Sequence, residues 1–203
     1  MSTRPTETEA PVQAPRTRGM ALKEILAIVV LGVVFGFLYY ALVQAWGALA
    51  IAMGPLGDLA QNVLIGGWFL VAPLALFIVR RPGAGLVAGV LASVIEVVFL
   101  GSPVGPVLLV SAAIQGLGSE LAFAATRYRR YGLPVFLASG LTTALFSFAY
   151  ATIRFGWLGQ ELFWIRLVLH LSSGLVLCGV LGWFIARGLA STGVLRDLPA
   201  GRG

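Results

Sequence analysis

Residues 112–130 read AAIQGLGSELAFAATRYRR. The stretch begins as an apolar helix and ends on Arg127, Arg129 and Arg130. An apolar run stopped by a basic cluster is the pattern of a helix leaving a bilayer, because hydrocarbon rejects charge and anionic headgroups attract it. Two polar groups interrupt the run. Glu120 lies five residues beyond Gln115, so on a helix it points about 140° away from it. The two are expected to do separate work.

The rest of the chain agrees with a membrane reading. It has 203 residues, of which 59% are hydrophobic and only 11% charged, against about 25% charged in a soluble domain. Mean hydropathy is +0.94. The net charge is +6, and its arginines cluster between apolar runs, where topology and anionic lipid account for them without nucleic acid. A single cysteine, Cys178, rules out an intramolecular disulfide or a cysteine zinc cluster.

Six apolar segments, each near the roughly 20 residues a spanning helix needs, fall at about 23–46, 59–79, 83–101, 104–126, 133–155 and 163–187. Between them stand the breakers MGPLGD, RRPGAG, GSPVGP, RYRRYGLP and GWLGQE. Backbone groups in lipid must be satisfied within their own segment, so an all-α bundle of six transmembrane helices is expected. Basic residues mark every second connection: Arg4, Arg16, Arg18 and Lys23, then Arg80 and Arg81, then Arg127, Arg129 and Arg130, then Arg187, Arg196 and Arg202. Arg154 and Arg166 weaken the alternation at the fifth connection. Both termini are therefore expected in the cytoplasm. The expected organisation is a disordered cytoplasmic tail over 1–20, a six-helix transmembrane domain over 21–190 and a cytoplasmic tail over 191–203.

Polar residues inside these segments are the candidate site. Gly85, Gly89, Ala92 and Glu96 share one face of the third segment. A carboxylate there is costly unless paired or hydrated. Glu96 reads either as a counter-charge for a cationic ligand or as a structural partner of Arg154. Gln115, on a stripe with Ser111 and Ser119, offers a ligand both donor and acceptors, or else an interhelical hydrogen bond. Glu120 favours a pair with a cytoplasmic arginine or a contact to a partner subunit. Trp68 follows two glycines in NVLIGGWF, where it can stack on a planar ring or pack between helices. Tyr150 lies on a stripe with Thr143, Ser147 and Arg154, and His170 on one with Arg166 and Ser173. A lone membrane histidine is more often hydrogen-bonded structure than a ligand site. No metal site is expected, because no second strong ligand shares its local spacing. Gly32 and Gly36 form a small-xxx-small pair suited to partner docking.

There is no HExxH, GxSxG or Walker A pattern, so neither an enzyme nor a self-contained ATPase is expected, and no cofactor. Several blocks resemble the YkoE-like S components of energy-coupling factor (ECF) transporters: GGWF at 66–69, RRPGAGL at 80–86, Glu96 followed by LGSPVGP at 100–106, QGLGSELAFAATRY at 115–128 and TGVL at 192–195. That resemblance implies six helices with both ends in the cytosol and a vitamin pocket toward the outside, under the loop joining helices 1 and 2. It implies docking through helix 1 on a coupling membrane subunit, with ATPase partners. The ligand it implies is thiamine or its hydroxymethylpyrimidine precursor. The rival reading is a self-contained proton-coupled transporter or channel, with Glu96, Glu120 and His170 as relay. An intramembrane enzyme is weaker still, lacking a nucleophile–base pair.

Overall fold

A computed structural model describes residues 19–202, and among them the chain is helical with no strand. The arginines at 4, 16 and 18, and the expected disorder of the first eighteen residues, lie outside the described residues. Four stretches are long and apolar enough to cross a membrane: 22–79, 107–125, 133–155 and 163–191. A shorter apolar helix runs over Ala84–Phe99.

The first stretch covers 58 residues. As one straight helix it would reach about 87 Å at 1.5 Å per residue, far beyond a hydrocarbon core of about 30 Å. It turns back instead. Helix α1 (Leu22–Met53) ends at Gly54, whose φ of 54° lies in the left-handed region, and a 3-10 turn with a proline near its start covers Gly54–Leu59. The returning arm consists of α2 (Ala60–Leu64), α3 (Gly66–Phe69) and α4 (Val71–Val79). The two arms meet where the Tyr39 hydroxyl donates to the Trp68 carbonyl.

After an αL turn at Arg80 and Gly83 come α5 (Ala84–Val94), a π-helical turn (Ile95–Phe99), α6 (Val107–Ala125) and α7 (Leu133–Phe155). The last long stretch is α8 (Phe163–Ser173), a π-helical segment (Gly174–Leu181) and α9 (Gly182–Ser191). Small residues and hydroxyls hold the helices close, as expected where lipid tails supply no hydrophobic drive between them. Thr142 Oγ1 donates to the Gly118 carbonyl at 2.7 Å, and the Ser119 and Ser139 hydroxyls are 2.7 Å apart. Large apolar side chains such as Leu26, Val30, Phe37, Phe146, Val168 and Phe184 are exposed outward, the surface a bilayer requires.

One expectation changes here. Gly32 and Gly36 do not form an open docking face. Both are buried, and a Cβ at either would come within 2.6 Å of Leu91 or Ile95 on the third apolar helix. The glycine pair lets these two helices of the same chain approach each other. The outward face of α1 is made of Val, Leu and Phe side chains instead. At the C-terminal end the described part of the 191–203 tail packs back on the bundle. Leu195 and Ala200 are buried, and Arg80 donates to the Ala200 carbonyl.

Candidate functional site

Three polar rungs join the 54–59 turn and the returning arm to α8. Arg166 pairs with Asp58, His170 Nδ1 lies 3.0 Å from Asn62 Oδ1, and the Ser173 hydroxyl donates to the Val63 carbonyl at 2.7 Å while accepting the Gly66 N–H at 2.9 Å. The residue numbers rise together on both sides, so these helices run parallel. A side chain inserted into a backbone ladder breaks it. The Ser173 hydroxyl occupies hydrogen-bonding capacity of Val63 and Gly66, and the helix is interrupted beside them, at Ile65.

Beside these rungs opens a cavity of about 810 Å³. Its walls come from the C-terminal half of α1 (Gln44, Trp46), the 54–59 turn and the arm after it (Asp58, Gln61, Trp68), the N-terminal half of α6 (Ser111, Gln115), the C-terminal half of α7 (Ser147, Tyr150, Arg154), and Trp157 and His170. Alternating C- and N-terminal halves put the cavity at one end of the bundle, the end away from Leu22 and Ser191.

Gln115, Trp68, Tyr150 and His170 all lie in this wall. Gln115 forms no hydrogen bond with the described residues, so the interhelical-bond reading does not hold. Its amide is held in a largely apolar wall with its capacity unengaged. The Trp68 indole N–H is buried and has no partner. Its ring lies against Tyr39, centroids 6.4 Å apart. The His170 ring is gripped by Phe69 and Phe148, with centroids at 6.0 and 5.4 Å. With Asn62 Oδ1 as its partner, Nδ1 carries the proton, and Nε2, which has no protein partner, is left as an acceptor.

Glu96 is elsewhere. It is fully buried and does not line the cavity. Nor does it pair with Arg154, whose guanidinium lies 4.8 Å over the Phe155 ring. Glu96 accepts the Ser102 hydroxyl at 2.8 Å, and the Ser102 N–H donates to the Glu96 carbonyl at 3.1 Å. Its work is to hold the 100–106 connection, which contributes Pro103 and Val104 to the cavity wall. Sequence periodicity put Glu96 on one buried stripe with Gly85, Gly89 and Ala92, and that stripe packs inside the bundle rather than lining the cavity at Glu96.

Glu120 is outside the cavity too, and its partners are not arginines. It accepts the Gly85 N–H at 3.1 Å and the Tyr128 hydroxyl at 2.8 Å. It thus serves the first turn of α5, where unpaired N–H groups favour a carboxylate, and anchors the connection before α7. In that connection, burial and the bond to Glu120 raise the Tyr128 pKa from 10.0 to about 12. A raised phenol pKa contributes stability that is present below pH about 10 and lost as pH rises through about 12. Glu120→Ala leaves a backbone donor and a phenol unsatisfied, each costing about 1–3 kcal/mol. The expected result is a lower melting temperature with ligand affinity nearly intact. A loss of affinity at unchanged melting temperature would place Glu120 back in the site.

Residues that sequence reasoning missed are Gln44, Gln61, Asp58, Asn62 and the cavity role of Arg154. The signal was faint: isolated amides in apolar helices, and a carboxylate at a helix turn.

Comparison with known proteins then decides the family. Residues 23–146 match the family described as an ABC-type cobalt transport system, permease component. The putative HMP/thiamine permease protein YkoE of Bacillus subtilis (strain 168) is 36% identical over 183 residues, covering 89% of this chain and 90% of that protein. A crystal structure of an S-component of an ECF transporter superposes with a TM-score of 0.83 at 35% identity, covering 91% of this chain and 92% of the other. The chain belongs to the YkoE-like S components of ECF transporters. As an S component it is a multi-pass membrane subunit that binds substrate for import and is not an enzyme. It works with a coupling membrane subunit and with ATPase subunits, which carry the hydrolysis. The self-contained transporter reading falls with this assignment.

Proposed function

We propose that this S component captures thiamine or its hydroxymethylpyrimidine precursor, and that the aminopyrimidine ring common to both is what the cavity reads. The observation that carries the reading is one aromatic-walled cavity lined by Gln115, Trp68 and His170, with the Trp68 N–H and the His170 Nε2 buried without a protein partner beside it. An aminopyrimidine offers ring-nitrogen acceptors, an amino donor and a flat face, which those groups complement. The relationship to a protein named for HMP and thiamine supports it. Among the described residues no group of three or more His, Cys, Asp and Glu could hold a metal ion, which favours an organic ring over a metal cargo. The thiazolium of thiamine would be met by aromatic faces such as Tyr150 rather than by a carboxylate, since Asp58 is already paired with Arg166.

The test is mass spectrometry of ligand co-purified with the protein, followed by titration with thiamine, hydroxymethylpyrimidine and cobalt(II). Binding of both pyrimidine compounds is expected. Binding of cobalt(II) alone would overturn the reading.

The same proposal includes six crossings with both termini in the cytoplasm. Its support is the reversal at Gly54–Leu59, the parallel course of α8 and the returning arm, and the basic residues at the end carrying Arg80, Arg129 and Arg187. In a chain whose native Cys178 is buried, an impermeant maleimide added to intact cells should label Leu158→Cys and leave Ser191→Cys unlabelled until the membrane is opened. The reverse pattern would invert the orientation.

A further inference from the structure

A second hollow, of about 730 Å³, lies at the opposite end of the molecule from the substrate cavity, on the outer surface between α6 and α7. It is lined by Leu121, Ala125, Ala138 and Thr142 along its length and by Arg130 at its mouth. On the α7 side its lining extends over residues 132–142, about 15 Å at 1.5 Å per residue. That is half of a hydrocarbon core about 30 Å thick, the depth of one leaflet.

Arg130 lines the hollow, and Arg127 and Arg129 stand on the same connection between α6 and α7. Arg127, Arg129 and Arg130 are all exposed, and among the described residues none is paired with a carboxylate. The nearest acidic side chain in sequence, Glu120, is buried and engaged by Gly85 and Tyr128. The connection bearing the arginines is held in shape: Arg127 and Tyr128 adopt φ of 52° and 55°, the Tyr128 N–H donates to the Phe123 carbonyl at 2.9 Å, and the Tyr131 hydroxyl donates to the Tyr128 carbonyl at 2.7 Å. Left-handed backbone at two consecutive non-glycine residues is costly and persists only where its surroundings enforce it.

The geometry points to a binding site for an anionic phospholipid, with one acyl chain lying in the groove, the phosphate at Arg130, and Arg127 and Arg129 on the same connection adding positive charge. The groove has the depth of a leaflet, it opens on the membrane-facing surface, and its charge sits at one end only. An apolar protein helix seated there would leave Arg130 and its neighbours Arg127 and Arg129 without counter-charge. A phosphodiester supplies that charge and accepts hydrogen bonds from guanidinium groups.

The test uses the full chain, purified and delipidated in detergent, and native mass spectrometry with added phosphatidylglycerol or phosphatidylcholine of the same acyl chains. The intact chain should retain phosphatidylglycerol in preference to phosphatidylcholine. The triple variant Arg127→Gln, Arg129→Gln, Arg130→Gln should weaken that retention by roughly tenfold or more. Ala138→Phe, at an exposed position that a ring can occupy without disturbing the core, should abolish it by filling the groove while leaving thiamine binding unchanged. Equal retention of the two lipids, or full retention of phosphatidylglycerol by Ala138→Phe, overturns the proposal. So does loss of the coupling subunit from Ala138→Phe with phosphatidylglycerol still bound, which would assign the groove to a protein partner.

Discussion

Trp68→Leu is expected to weaken binding of both hydroxymethylpyrimidine and thiamine by roughly fivefold to over a hundredfold, the range that follows from a loss of about 1–3 kcal/mol when a flat ring loses an aromatic stacking partner. Trp68 is the right place to look because three independent features set its ring. Gly66 and Gly67 before it allow close approach to Ser173 and Leu42. Its carbonyl is held by the Tyr39 hydroxyl. Its indole N–H is buried without a partner, and a buried donor left unpaired is itself unfavourable until a ligand accepts from it. Trp68→Phe separates the two contributions, since it keeps a ring and removes the donor, and it should fall between the intact chain and Trp68→Leu. Glu96→Gln should change affinity less than Trp68→Leu, because Glu96 acts on the cavity only through the 100–106 connection. Calorimetric titration of the three variants with both compounds decides the matter. Unchanged affinity in Trp68→Leu would remove this ring from the site.

The second large effect is on folding. Gly140 on α7 faces Gly174 at the start of the π-helical segment, and a Cβ on Gly140 would run into the Gly174 carbonyl, while one on Gly174 would lie 2.7 Å from the Gly140 carbonyl. The obstacle on both sides is backbone, which cannot swing away as a side-chain end can. Gly140→Val is therefore expected at or beyond the upper end of the usual overpacking cost, about 3 kcal/mol, a large share of the 5–15 kcal/mol by which folded proteins are typically stable. Size-exclusion profiles and melting curves in detergent should show mostly aggregated protein. Gly188→Ala is the control: nothing lies within 4 Å of a Cβ there, and adding one in helix α9 should be neutral or stabilising by up to about 1 kcal/mol. A well-folded Gly140→Val would mean that α7 and the π-helical segment are not as close as described.

How much was legible beforehand differs from residue to residue. The opening stretch shows why. That 112–130 is a membrane helix ending at its arginines follows from composition, because the transfer cost of charge into hydrocarbon acts on each residue wherever its neighbours are. That Gln115 and Glu120 do separate work follows from helical period alone. What each one touches does not. Glu120 was expected near an arginine, its closest basic neighbour in sequence, yet it serves Gly85, thirty-five residues away. The small-xxx-small pair at Gly32 and Gly36 correctly announced a close helix contact, but a pattern of small residues does not say whether the second helix belongs to the same chain.

Composition, hydropathy and period therefore determined that this protein is helical, lives in a membrane and carries its polar groups on particular helix faces, because those properties are local and nearly additive along a chain. The tertiary structure alone decided which faces meet. It brought Asp58, Asn62 and Gly66 against Arg166, His170 and Ser173 across more than a hundred residues, left Gln115 and Trp68 in the wall of one cavity, and engaged Glu96 with Ser102 outside it. The physical reason is that a buried polar group is stabilised only by a specific partner at hydrogen-bond distance, and that distance is set by the packing of whole helices.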